Sequence, residues 1–358
     1  MKKKRIQFSL LDHIGSVSTL LSILIAVLIG CLLILVISED PGEAIKSLLV
    51  KPLSNMFYIN SIINKATPLI FVGLSAALAF RTGLFNMGVQ GQFYIGAFAG
   101  TLVANYLTGL PTGIHIVLTY FLAICAGAVY AALAGFLKVQ FGVNEVVTTL
   151  MLNYIATLIT SGMTNSYFRD PDSGGVIRMN YIPDYLKLGS ISKSLSAHSG
   201  ILIALLVLLL AYVFVKHTNL GYCMRTVGQN PIFAQYGGLH IRKIMLLSFL
   251  LSGAVAALGG VIEVTGIHYS FFDNFAADMG GDGLIIALLA ANSPVGVLLT
   301  SLFFAYLEIG GQIMQQNTDV SRELVLIIQV IMIMMISSRI LAPYLNRIKL
   351  KREVRKDA

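Results

Sequence analysis

The sequence predicts an all-α, polytopic bundle of membrane-spanning helices, and three observations carry that prediction. Hydrophobic residues make up 56% of the 358 and charged residues only 12%, about half the roughly 25% charge of an ordinary soluble domain. Mean hydropathy is +0.80. The apolar residues fall in runs close to the length of about 20 that a helix needs to cross a bilayer, enough for roughly eight to ten crossings. Cys31, Cys125 and Cys223 lie in or near apolar runs without metal-ligand spacing, which argues against a disulfide framework and a zinc site.

Taken in order, the apolar runs place spans at Val17 to Ile37, Ile59 to Phe80, Leu84 to Leu107, Ile114 to Leu137 and Val146 to Ser166. After a long loop come Gly200 to Val215, Ile244 to Thr265, a short piece from Leu284 to Ala291, Val295 to Ile313, and Leu324 to Ile340. The first run follows Lys2, Lys3, Lys4 and Arg5 and contains Leu28-Ile29-Gly30-Cys31, similar to a lipoprotein cleavage box. Because the chain stays apolar through Ile37, an uncleaved first span is expected. The short piece precedes Asn292-Ser293-Pro294, so a broken or re-entrant segment is as acceptable as a crossing, provided protein buries it or it lines a cavity.

The net charge of +8 is a topology signal rather than a nucleic-acid signal, since the basic residues sit in short blocks between apolar runs. Threading from a cytoplasmic N-terminus puts 17 of the 25 Lys and Arg inside and leaves eight outside, the asymmetry expected of a cytoplasmic face. The expected organisation is a basic cytoplasmic N-terminus (1–16), a transmembrane domain (17–341) and a basic cytoplasmic tail (342–358). Within the transmembrane domain, loop 167–199 lies outside and loop 216–243 inside. No G-x-x-x-x-G-K-[ST] phosphate loop occurs, so any driving ATP is bound by another polypeptide.

Polar residues inside apolar runs mark candidate sites. Glu145, Thr149, Asn153, Thr157 and Ser161 recur every four residues, a stripe expected on one helix face toward neighbouring helices or a water-filled route. Interhelical hydrogen bonding is the plainer explanation for the two hydroxyls, and Glu145 beside Asn144 also suits an interfacial cap. The segment from Arg81 to Gly96 holds Asn86, Gln90 and Gln92 among four glycines. Asn86, Gln90 and Tyr94 have the spacing of one helical face with Gln92 elsewhere, and a broken helix of this kind can build a transport site. Gly96 and Gly100 form a small-xxx-small pair suited to close helix approach. Glu308, Gln312 and Gln316 form a third line. Glu263 and His268 are expected at the interface, not in a proton relay. Asn86, Gln90, Gln92, Asn153 and Glu308 are thus the pathway candidates.

In loop 216–243, Asn230 is a good N-cap, Pro231 suits the first helical position and Gly237-Gly238 supplies a stop. The short helix so defined carries Ile232, Phe233 and Tyr236 on one apolar face. It can lie on lipid, serve as a plain connection, or insert into the groove of a cytoplasmic partner.

Asn219-Leu-Gly-Tyr-Cys-Met-Arg-Thr-Val-Gly-Gln-Asn-Pro-Ile-Phe-Ala-Gln-Tyr-Gly-Gly-Leu, followed by Leu247-Ser-Phe-Leu-Leu-Ser-Gly-Ala-Val-Ala-Ala-Leu-Gly-Gly, resembles the coupling-loop signature of ABC importer permeases of the sugar, nucleoside and branched-chain amino acid type. Arg81-Thr-Gly-Leu-Phe-Asn-Met-Gly-Val-Gln-Gly-Gln-Phe and Gly142-Val-Asn-Glu-Val-Val-Thr-Thr-Leu-Met-Leu-Asn-Tyr-Ile-Ala are similar to the branch that includes bacterial nucleoside permeases. The resemblance covers roughly Ile59 to Arg339. It departs at Gln90, a position associated with an acidic residue in the family motif.

The resemblance implies a non-catalytic permease subunit in a bacterial plasma membrane, binding no cofactor itself. It further implies a second, different permease subunit, two ATPase subunits holding ATP-Mg, and a substrate-binding protein or lipoprotein received by the outer loops. Asn230 to Gly237 would be the coupling helix, with Phe233 and Ala234 in its face and Arg225 and Gly228 positioning it. The cargo implied is a nucleoside. A simple sugar such as ribose on the same machine is the alternative, and an ion-coupled secondary transporter a more distant one. A membrane enzyme finds no residues to name, since H-E-x-x-H, G-x-S-x-G and paired intramembrane carboxylates do not occur.

Overall fold

The computed structural model describes residues 21, 23–192, 196–276 and 279–337, apart from the side chains of 333 and 335–337. The basic block at Lys2 to Arg5, the start of the first expected span and the tail 342–358 lie outside the described residues. Among those described the fold is all-α, with two isolated bridges in place of any strand. Six helices are long and apolar enough to cross a membrane, and shorter apolar helices accompany them. The contacts divide the chain into a unit spanning 59–305 and a second formed by the segments before 59 and after 305.

The larger unit is built around α3 (Met56–Arg81) and α10 (Ile241–Glu263). Of the apolar stretch of α3, 83% is buried, against 22% in α5 (Thr112–Phe141) and 17% in α6 (Glu145–Ser166). A helix apolar on all sides must be surrounded by protein or by lipid, so α3 is a core helix and α5 and α6 turn apolar faces outward. α10 packs along α4 (Val89–Tyr106) and α5. The approach is close because a methyl group at Gly96 or Gly127 would strike Ala257, the geometry that the Gly96/Gly100 pair predicts. Ser75 of α3 and Ser252 of α10 are tied by reciprocal hydroxyl-to-carbonyl hydrogen bonds, each 2.8 Å.

The expected span from Leu84 to Leu107 is not helical from its start. α3 ends at Arg81, and a turn through Gly83 (φ +74°) and Gly88 precedes α4 at Val89. Asn86 is therefore not on a helical face with Gln90, because its side chain holds the turn instead. The short piece expected at Leu284 is α11 (Met279–Leu289), about 16 Å long and roughly half the thickness of a hydrocarbon core. It turns through Ala291 (φ 48°) and Asn292 (φ 57°) into α12 (Pro294–Asn317).

Loop 167–199 folds against the end of α10. That helix finishes in a π-helical turn at Val264–His268, and the loop's backbone bonds the chain that follows. Met179 N–H donates to the Phe271 carbonyl, Ile182 to Tyr269 and Leu188 to Thr265, each at 2.8 Å. At the opposite end of α7 (Gly200–His217) the chain forms α8 (Asn219–Gln229) and α9 (Pro231–Tyr236).

In the smaller unit, α1 (Ile23–Ile37) meets α13 (Glu323–Ser337) where Gly30 faces Ile328. α2 (Pro41–Leu49) is N-capped by Asp40, which accepts from the Glu43 amide at 3.2 Å. Ser38 donates to Asp319 at 2.8 Å, and Tyr306 donates to the Leu49 carbonyl.

Candidate functional site

Two groups of residues stand out, one where α3 breaks into α4 and the other at α8 and α9. At the break, a helix start inside an apolar bundle exposes backbone N–H groups with no intrahelical partner, and side-chain amides meet that need. Asn153 of α6 accepts from Gly91 N–H at 2.6 Å and donates to the Met87 carbonyl at 2.5 Å. Thr149 accepts from Met87 N–H at 3.0 Å. Asn86 makes all four bonds an amide can make. It donates to Gln92 (2.9 Å) and Ser252 (2.8 Å), and accepts from Gly88 N–H (3.0 Å) and Gln92 (3.1 Å).

These contacts sort the predicted pathway residues. Asn86 and Gln92 are buried and bonded to protein, stitching the turn to α10. Gln90 is half-buried, its stem near Gly280 of α11, and Asn153 is half-buried. Glu308 is half-buried on α12, in the smaller unit. The stripe on α6 does not hold one face, because each four-residue step overshoots a 3.6-residue turn by about 40°. The buried row runs instead through Thr149, Ala156, Thr160 and Thr164. Glu145 pairs with Lys138 at 2.7 Å beside Asn144, the helix N-cap.

At the other group, Asn230 caps α9 by accepting from Phe233 N–H at 3.0 Å, with Pro231 at the first helical position. The helix ends as a Schellman motif whose left-handed residue is Gly238 (φ +79°) rather than Gly237. Leu239 N–H bonds the Ala234 carbonyl and Gly238 N–H the Gln235 carbonyl, both at 3.0 Å. Ala234 is buried with Met224, Val227 and Ile244. Ile232, Phe233 and Tyr236 are 68%, 66% and 90% exposed, so the anchored helix presents three large apolar side chains outward.

α8 joins this helix to the break. Gly228 lies against the backbone of Arg81 and Gly83, close enough that a methyl group there would overlap the Arg81 carbonyl. Arg225 is half-buried near Arg81. The Arg81 Nε in turn donates to the Asn292 carbonyl at 2.9 Å, in the turn between α11 and α12. Sequence reasoning missed this link and the Ser75–Ser252 pair. The only available signal for the latter was a serine in each of two apolar runs. Glu263 is 5% exposed, with one carboxylate oxygen 3.4 Å from His268 Nε2.

Comparison with known proteins agrees with this architecture. A family described as branched-chain amino acid transport system / permease component matches residues 58–337. A guanosine ABC transporter permease protein of Bacillus subtilis (strain 168) is 33% identical over 89% of this chain and 92% of its own length. A glucose ABC transporter permease protein of Haloferax volcanii is 34% identical over 88% of this chain and 85% of its own. A nucleoside ABC transporter permease protein of Lactococcus lactis subsp. cremoris is 29% identical, covering 89% of each chain. The chain therefore belongs to the branched-chain amino acid transport system permease family, as a multi-pass ABC permease of the sugar and nucleoside type.

Proposed function

We propose that this permease carries nucleosides inward through a bacterial plasma membrane, powered by ATP-Mg bound to separate ATPase subunits. The observation that carries the ATPase assignment is α9, a capped helix with one buried anchor, Ala234, and an outward face of Ile232, Phe233 and Tyr236. Such a face suits an apolar groove on a partner. A push on α9 would reach the break through α8, because Gly228 rests on the Arg81–Gly83 turn, and would reach the α11–α12 turn through Arg81 and Asn292.

Loop 216–243 and both termini are cytoplasmic in this scheme, and loop 167–199 receives a substrate-binding protein or lipoprotein. A second, different permease and membrane lipid cover the apolar faces of α5 and α6. Gln90, Asn153 and Glu308 are the pathway residues; Asn86 and Gln92 hold the break in place, and Asn153 also bonds it.

Nucleoside cargo is favoured by the names of two of the relatives. The glucose permease relative favours a simple sugar as the alternative. Uptake of labelled guanosine by cells producing the full assembly, challenged with excess unlabelled guanosine, ribose or glucose, tests the cargo. Competition by guanosine alone is expected. Labelled ribose taken up in its place would leave the machine and change the cargo.

A further inference from the structure

Where loop 167–199 folds over the end of α10, a cleft of about 240 Å³ opens, lined by Ser173, Val176, Arg178, Tyr181, His268, Ser270 and Phe272. Three of its seven lining residues, Tyr181, His268 and Phe272, present rings. The Arg178 guanidinium lies 4.4 Å from the Tyr181 ring centroid, and His268 meets Phe272 edge to face at 4.9 Å. The one full cation is already neutralised, since Arg178 pairs with Asp170 at 2.9 Å and also donates to the Tyr181 hydroxyl. His268 is backed by Glu263 at 3.4 Å. The cleft thus combines ring faces with a cation that is already paired, and its polar capacity is only partly used. The Ser270 hydroxyl donates to the Met179 carbonyl at 2.6 Å, which leaves its lone pairs to accept, and the Arg178 Nε is buried with no hydrogen-bond partner among the described residues.

From these features we infer that the cleft is a subsite for an uncharged, planar heteroaromatic ring with hydrogen-bonding edges: the base of a nucleoside. Aromatic faces and a stacked guanidinium hold π-systems whatever their substituents, and hydroxyls read the edge of the ring. A free sugar can lay only a C–H face on a ring and brings no π-system for the guanidinium. A nucleotide phosphate would find Arg178 committed to Asp170. The inference rests on the nucleoside cargo proposed above and adds that the permease itself touches the base, on the lobe where the binding protein would hand it over. The volume accommodates a base better than a whole drug-sized ligand, which typically takes 300 to about 1,000 Å³, so the sugar would remain outside.

The chain has no tryptophan, so Phe272→Trp places its one indole in the cleft. The variant is purified in mild detergent with its native partners, its fold checked by circular dichroism, and its emission read relative to the same preparation without the substitution. Titration with guanosine should change the added emission saturably. Guanosine monophosphate should need at least tenfold higher concentration, and ribose should have no saturable effect. Adding Tyr181→Ala should weaken the guanosine response at least tenfold. If Phe272→Trp does not fold, Tyr181→Trp serves as the probe, with Phe272→Ala as the weakening change. A folded probe that ignores guanosine, or responds equally to ribose, overturns the subsite. Labelled guanosine uptake by the unmodified assembly is measured in parallel. Uptake without a fluorescence response removes the subsite and leaves the importer, whereas a saturable response without uptake supports the subsite and removes the assigned cargo.

Discussion

Gly228 and Gly83 meet backbone to backbone: the site of a methyl group on Gly83 lies 3.4 Å from the Gly228 α-carbon, and one on Gly228 would come within 3.0 Å of the Gly83 amide nitrogen. One glycine lies in the last turn of α8, the other shapes the turn between α3 and α4. Gly228→Ala should push these elements apart while leaving α9 intact. ATPase should still co-purify, and guanosine uptake should fall at least tenfold. Gly83→Ala should act more through stability, since a side chain at φ +74° costs about 1–2 kcal/mol. Normal uptake by Gly228→Ala would remove this contact from the coupling route.

Phe233→Asp should release the ATPase while leaving the permease in the membrane. The side chain is 66% exposed, so the change costs the isolated chain little. A charge in an apolar groove at an interface anchor costs about 2 kcal/mol or more, a ~30-fold loss of affinity. Undiminished co-purification of ATPase would refute α9 as the docking helix.

Asn153→Leu should lower stability, because it leaves Gly91 N–H and the Met87 carbonyl without their partner. Each stranded buried group costs about 1–3 kcal/mol, so the thermal midpoint in detergent should drop by several degrees. Gln90→Leu should leave that midpoint unchanged and reduce uptake. If both variants keep the midpoint, the amide of Asn153 is not holding the break.

Acidification should loosen the lobe formed by loop 167–199. The His198 Nδ1 accepts from Gly200 N–H at 3.2 Å, and its Nε2 is buried without a hydrogen-bond partner among the described residues. Burial holds the imidazole below its ordinary range, with the Glu263 carboxylate pulling the other way. A histidine with a depressed folded pKa contributes stability that is present above its unfolded value, near 6.5, and declines as pH falls below it toward the folded value. The thermal midpoint should therefore fall as pH drops below about 6.5, and His198→Gln should flatten that part of the curve. Parallel curves for the two proteins would exclude His198 as the cause.

Features set by local chemistry were legible in the sequence. Asn230, Pro231 and the paired glycines spelled α9 because capping depends on neighbouring residues, although only the backbone shows that Gly238 is the left-handed one. The motifs from Arg81 and Asn219 pointed to the family that matches residues 58–337. Tertiary chemistry was less visible. Leu84 and Phe85 counted toward a span, but the Asn86 side chain bonds its own turn and Ser252, so α4 begins at Val89. The four-residue stripe on α6 lost its face to helical drift. Glu263 ends an apolar run, and loop 167–199 brings His198 toward it, a long-range contact that periodicity does not encode.

The most direct test of the central claim is labelled guanosine uptake into membrane vesicles carrying the native assembly, with internal ATP supplied or omitted and the proton gradient intact or collapsed by a protonophore. Uptake that requires ATP and survives collapse of the gradient is the predicted result. Uptake that stops with the gradient while ATP is held constant would contradict an ATPase-driven permease and the role assigned to α9.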